Sequence, residues 1–331
     1  MNRRPTRFSG LSMPGPTAAI ALAADAVSAV QLAWSQNRPT ITAHARAELP
    51  PGTLTPAVAG PNIPDAKTVA DALGHVLGRL PRRPSRVALV VPDSAAKVSL
   101  VRFDKVPTRA VDLEQLIRWR VRKAAPFRLE EAQITYTPGA AVDGDGREFV
   151  IALTRRAVVE EYERVCAMAG AHAGLIDLAS FNVINMALAA STGTASADWL
   201  LVHVAVGYST LAIVRGGELI FFRNRPAQGD GNLADLVHQT AMYYQDRLGG
   251  TGFGLTLLAG EPQLEALGGS PGAMRRAVEE RLGTGLESIA TVMRAPVKDE
   301  TGADAALLDT LAAPVGLLVR DRLVAPSEVA R

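Results

Sequence analysis

Three short apolar runs, Ala19–Leu22, Val27–Ala33 and Thr40–Ala47, are broken by turn-like residues at Ala23–Ala26 and Gln36–Pro39, which predicts a three-strand meander. Val69, Leu73, Val76, Leu77 and Leu80 then recur at helical spacing between Pro64 and Pro81. Strands are predicted at Arg86–Val91 and Lys97–Phe103, followed by a helix over Ala110–Ala125 that stops before Pro126. Further strands fall at Gln133–Thr137, Phe149–Thr154 and Leu175–Leu178, and helices at Val158–Ala169 and Asn182–Ala190. Pro50–Pro64 reads as a loop, residues 1–16 as a disordered tail, and residues 191–197, rich in Ser, Thr, Gly and Ala, as a linker between two lobes.

After the linker the opening pattern returns. Leu200–Val206, Thr210–Val214 and Glu218–Arg223 are strand-like, with turns at Gly207–Ser209 and Gly216–Gly217. Setting Ala21-Leu22-Ala23 on Ala205-Val206-Gly207, Val27 on Leu211 and Val30 on Val214 gives an offset of 184 residues and reads as a diverged duplication. A helix follows with Leu233, Leu236, Val237, Thr240, Ala241, Tyr244 and Leu248 on one face. The strand Leu255–Leu258 and helices near Gln263–Leu267 and Met274–Leu282 come next.

Composition narrows the function classes. A chain of 331 residues can bury two cores, and 35 basic against 33 acidic side chains give no general pull toward nucleic acid. Two local basic clusters, Arg79, Arg82, Arg83 and Arg86, then Arg118, Arg120, Arg122 and Lys123, are read as solvated surface rather than as phosphate or anionic-membrane sites. Cys166 is the single cysteine, so no intrachain disulfide can form, which suits a reducing cytoplasm. The early apolar stretch Thr17–Trp34 is interrupted by Asp25, Ser28 and Gln31 and does not read as a membrane span. The histidines at 44, 75, 172, 203 and 238 have no metal-ligand spacing, His203 reads as a strand residue, and no metal is expected.

A duplicated meander with crossover helices is the plan of the superfamily of actin, hexokinase and the heat-shock ATPases, which this chain resembles from Ala18 to Leu323. The expected fold class is α/β, an actin-like (ribonuclease H-like) duplicated two-lobe fold. Active members carry Asp-x-Gly followed by Ser or Thr at two strand turns: the carboxylate orders magnesium and its waters, and the small residues admit phosphate. Here the turns read Ala21-Leu22-Ala23-Ala24 and Ala205-Val206-Gly207-Tyr208-Ser209-Thr210, with alanine at both acid positions. The adenosine turn, Ala259-Gly260-Glu261-Pro262, keeps one glycine. A degenerate nucleotide site would therefore consist of Ala23, Ala24, Asp25, Gly207, Tyr208, Ser209, Thr210 and Gly260, with Asp25 read as a turn residue rather than a substitute acid. The expectation is no catalytic residue, no enzyme activity and no cofactor, with weak ATP binding at the degenerate site left open.

Within that superfamily the chain resembles the type IV pilus assembly protein PilM family. The resemblance rests on Val87-Ala-Leu-Val-Val-Pro-Asp93, on Val98–Pro107, and on the helix ending Lys123-Ala-Ala-Pro-Phe127 before Glu130 and Glu131. Ala152–Gly170, Ile176-Asp177-Leu178 with Phe181, Phe222-Arg223 and Gly316–Arg320 extend it. It implies a subdomain inserted as in PilM and FtsA. Lobe 1 (1A-like) would comprise 17–93, 155–196 and 312–325, the insertion (1C-like) 94–154, and lobe 2 (2A-like) 197–311 with a reduced 2B at about 224–254. It also implies a cytoplasmic scaffold peripheral to the inner membrane, gripping the N-terminal tail of a PilN-like protein, with pilus motor ATPases as further contacts. The degenerate turns resemble instead the cytoplasmic domain of the type II secretion protein GspL. Attachment to the membrane would come only through a partner. The alternatives are an active ATPase or sugar kinase of the same fold and a filament protein of the FtsA or MreB kind.

On the helix Ala110–Ala125, Leu113, Leu116, Ile117, Val121 and Ala124 form the apolar stripe, and Trp119 projects away from it. Trp119, with Gln115, Arg122 and Lys123 around it, is the candidate partner-binding face.

Overall fold

The computed structural model describes residues 15–36, 38–142, 144–190, 197–227, 232–267, 270 and 272–320. Most of the expected tail (1–16), all but the last residue of the linker (191–197) and residues 321–331 lie outside the described residues.

The first meander is β1 (Ala18–Leu22), β2 (Ala26–Ser35) and β3 (Arg38–Glu48). Helix α1 (Ala66–Gly78), capped by the Asp65 side chain on Thr68 N, leads to β4 (Arg86–Val91). An inserted unit follows, made of β5 (Lys97–Phe103), α2 (Ala110–Val121), β6 (Ala132–Ala141) and β7 (Arg147–Arg155). Helix α3 (Arg156–Met168), β8 (His172–Leu178) and α4 (Ala179–Ala190) close the first half.

The second half repeats the meander in β9 (Trp199–Ala205), β10 (Tyr208–Arg215) and β11 (Glu218–Pro226). Helix α5 (Leu233–Leu248), capped by Asn232 and ended by Gly249 at φ +63°, leads to β12 (Leu255–Ala259). Then come α6 (Glu261–Leu267), α7 (Ala273–Leu282), β13 (Glu287–Ser288), α8 (Ile289–Met293), β14 (Lys298–Asp299) and α9 (Ala305–Val319).

These strands form a six-stranded sheet, β14-β3-β2-β1-β4-β8, a five-stranded sheet, β11-β10-β9-β12-β13, and the inserted sheet β5-β7-β6. One core joins the two large sheets, with Val30 and Ala88 of the first, Ala212 and Leu257 of the second, and Met186 of α4 and Val315 of α9 among its members. The two helices touch closely at Gly316, where an added Cβ would collide with the carbonyl of Asn182. The opposite faces of the sheets are covered by α1 and α3 in one half and by α5 and α7 in the other. A smaller core seats α2 on the inserted sheet through Ile117 and Val121.

Two expectations need correction. Ala19 pairs with Val30 in the first hairpin and Leu201 with Ala212 in the second, so the repeat is 182 residues at both strands, not 184. Pairing fixes this, because Ala21 faces Ser28 whereas Ala205 faces Tyr208. In strand register His203 therefore answers Ala21, Ala205 answers Ala23 and Thr210 answers Ser28. The chain also returns to the first half before residue 312. Lys298 pairs in parallel with Thr40, extending the first sheet at its edge, and α9 begins at Ala305.

Candidate functional site

The turn after β1 and the turn after β9 line one cleft, together with Gly260 and Asp309, and its volume is about 100 Å³. Small-molecule sites usually hold roughly 300–1,000 Å³. The expected residues Ala23, Ala24 and Asp25 are on its first wall. Asp25 is turned to an ion pair with Arg46 (3.3 Å), both about one third exposed. Ala21 and Ala205 are also in the lining and offer no oxygen to a cation beyond the backbone. Among the described residues no group of three or more His, Cys, Asp or Glu could hold a metal.

The second turn points elsewhere. Gly207, at φ +87°, makes the tight reversal that leaves Tyr208 buried and Ser209 nearly so. The Tyr208 ring meets His203 edge-on at 6.0 Å, and burial pushes its phenol well above the usual range. Thr210 is fully buried and its hydroxyl donates to Asp93 (2.7 Å) rather than to the cleft.

Asp93 is the centre of a network that the sequence reading missed. It follows Pro92 at the end of β4 and is fully buried. It accepts from the backbone N–H of Ser180 (2.9 Å), from the Ser180 hydroxyl and from Thr210. His203 Nδ1 lies 2.7 Å from Ser180 Oγ and 3.7 Å from Asp93. Asn224 donates to Thr210 Oγ1 (3.0 Å) and accepts from Ser94 (3.2 Å). Burial acts to raise the Asp93 carboxyl, but His203 and the Ser180 donors outweigh it and hold the group below its ordinary value. Asp93, Ser94 and Ser180 come from the first half, and His203, Thr210 and Asn224 from the second, so the network ties the halves together.

The same three residue types would make a nucleophile, base and orienter in another geometry. Here Ser180 gives its proton to Asp93, so Nδ1 of His203 donates to Ser180 and cannot act as its base. Ser180 is wholly buried besides.

Gly260 has φ +84°, and a Cβ there would strike the Val204 carbonyl, so glycine is required by the close approach of β12 to β9. The N–H groups of Gly260 and Glu261 already donate to Asp309, at 2.7 and 3.4 Å. Burial pushes the Asp309 carboxyl up to about 6, with these backbone donors opposing.

The missed residues left faint signals. Asp93 follows a strand at a Pro-Asp step, and Asp309 is a lone acid within the apolar run Leu307–Val319. His203, Ser180 and Asn224 carry none, because single polar residues on strands and helices are common.

A second concavity, of about 650 Å³, runs between β6 and the β8 edge, lined by Thr135, Thr137, Ile176, Phe181 and Leu188 among others. Val150 and Ala152 enter it from β7, whereas Phe149 and Ile151 face α2, so groove and helix lie on opposite faces of the inserted sheet. Trp119 is 67% exposed, and Gln115, Arg122 and Lys123 are exposed with it. The predicted partner face thus lies away from this groove.

A family model described as type IV pilus assembly protein PilM matches residues 19–246. The solved PilM-PilN type IV pilus biogenesis complex superposes with a TM-score of 0.75 at 16% identity, covering 94% of this chain and 99% of that chain. A protein of actin-like ATPase fold and unknown function from Bacteroides thetaiotaomicron gives 0.49 at 9% identity, covering 90% and 95%. The cytoplasmic domain of EpsL, an inner-membrane component of the type II secretion system of Vibrio cholerae, gives 0.46 at 11%, covering 89% and 93%. No curated protein matches the sequence. The fold is the actin-like two-lobe α/β fold with an inserted subdomain.

Proposed function

The chain belongs to the type IV pilus assembly protein PilM family, and from that premise we propose that it is a non-hydrolysing scaffold that holds the cytoplasmic tail of a PilN-like membrane protein. The observation that carries this reading is the state of the cleft. The first turn's one carboxylate, Asp25, is paired with Arg46, the second turn has none, and the N–H groups of the adenosine turn are taken by Asp309. The halves are tied by Asp93 and its donors, a task that nucleotide and metal would otherwise perform.

The groove between β6 and β8 supports the second half of the proposal. Both flanking strands end their sheets, so an extended tail could pair with backbone while apolar side chains meet Ile176, Phe181 and Leu188. No helix among the described residues is long and apolar enough to cross a membrane, and attachment through such a tail fits that finding. Pilus motor ATPases are proposed as further contacts.

Two measurements test this. Purified protein should show no magnesium-dependent ATP hydrolysis; a turnover that Thr210→Val abolishes would overturn the scaffold reading. A synthetic peptide of the PilN-like tail should bind by calorimetry, and Phe181→Ala should weaken it about tenfold or more. Peptide binding untouched by changes at Phe181 and Leu188 would remove the groove from the proposal.

A further inference from the structure

Helix α2 presents two unlike faces. Ile117 and Val121 are buried on the inserted sheet, while Val111 is 58% and Trp119 67% exposed, the two most exposed large apolar side chains among the described residues. Val111, Gln115 and Trp119 are spaced four apart, so they form one stripe along the outer face.

The charges around the stripe are unequal. Its acids are used internally: Asp112 lies 3.6 Å from Arg109 and Glu114 lies 3.1 Å from Arg118. Arg120, Arg122 and Lys123 are exposed and their side chains make no hydrogen bond or ion pair among the described residues. The C-terminal end of α2 therefore carries an indole beside three uncommitted cations.

The surface is a convex helix face, and none of the concavities described above includes Trp119. A protein hot spot built on Trp fills a desolvated pocket within a ring of near-neutral contacts, and the cores of protein interfaces are depleted of Lys. A flat anionic bilayer asks for what is here: an indole at headgroup depth and cations at lipid phosphate. We propose that the outer face of α2, with Trp119 at its centre and Arg120, Arg122 and Lys123 beside it, docks on an anionic lipid surface. One such signal gives only marginal, reversible binding, so it orients a protein already held at the membrane by its partner.

The test uses the whole chain and vesicles free of protein, which makes it independent of the tail-binding reading. Vesicles of phosphatidylcholine alone are compared with vesicles of equal parts phosphatidylcholine and phosphatidylglycerol. Trp199 is buried and Trp34 half-buried, so a blue shift on binding reports Trp119. Expected are co-sedimentation and a blue shift with the anionic vesicles only, both lost in high salt. The pair Arg122→Glu and Lys123→Glu should lower apparent affinity about tenfold or more. Trp119→Ala should lower it about threefold and remove the shift, with the melting temperature unchanged because all three side chains are exposed. No binding to anionic vesicles, or equal binding by both variants, overturns the proposal. Loss of PilN-like peptide binding in Trp119→Ala with vesicle binding intact also overturns it and assigns the face to a protein partner.

Discussion

In the first half of the molecule a buried acid, Asp93, sits at the end of a strand and accepts from the start of helix α4; at the turn after β12 the arrangement is inverted. There the acid, Asp309, sits on helix α9 and accepts from the end of strand β12. Asp93 has side-chain donors from both halves and is held ionised, whereas Asp309 has two backbone donors and is pushed up by burial. Depth alone does not decide a carboxyl's charge; the number and polarity of its donors does. Asp93 works as a tie between halves, and Asp309 as a plug on the N–H groups at Gly260 and Glu261.

The largest expected effect comes from breaking the tie. Asp93→Ala strands the N–H and hydroxyl of Ser180 and the hydroxyl of Thr210, and should lower unfolding free energy by about 3–5 kcal/mol in urea titrations at neutral pH. Because the folded value of Asp93 is depressed, its contribution is present above pH 3.8 and is lost as pH falls through the lower folded value. A loss below about 1 kcal/mol would mean that the network is decoration.

Removing the plug's charge should act in the opposite direction. The folded value of Asp309 is raised to about 6 from 3.8, so its favourable contribution is complete below 3.8 and disappears as pH rises through 6. Asp309→Asn keeps a neutral acceptor for Gly260 and should stabilise the protein by about 2 kcal/mol at pH 7.5, with little change at pH 4. Equal melting shifts at both pH values would show that the ionised form carries no penalty.

The two halves also differed in how far the sequence disclosed them. The meanders and their helices were legible because each buries one face, which leaves a period of two or near 3.6; β4 and β5 run over the predicted residues, 86–91 and 97–103. Helix α9 was not, since Leu311, Ala312, Val315 and Leu317 and their neighbours are buried nearly all round between two sheets, which erases the stripe. The repeat was legible but slipped by two residues, because apolar strands match themselves at any even shift. Ala21 stands at the first acid position in either register, whereas the second acid position, read as Ala205, moves to His203 once the strands are paired. The Asp93 network could not, since it joins residues from positions 93, 180, 203, 210 and 224 that only the fold brings together.

The smallest expected effect sharpens the contrast between the two turns. Asp25 lies where a substitute acid could stand, yet its carboxylate pairs with Arg46 at 3.3 Å on a surface where both side chains are about one third exposed. Exposed pairs contribute about 0–1 kcal/mol, so Asp25→Asn should change stability by less than about 0.5 kcal/mol, and added salt should shrink even that. Its backbone carbonyl, which accepts from Leu49 N at 2.7 Å, is untouched by the substitution, so the turn should keep its shape. Were Asp25 instead ordering a magnesium ion for nucleotide, magnesium with ATP would raise the melting temperature of the parent chain and not of Asp25→Asn. The expected result is no such shift in either, measured by differential scanning fluorimetry; a shift confined to the parent would make the first turn a working phosphate site and leave the second, turned inward on Asp93, as the degenerate one.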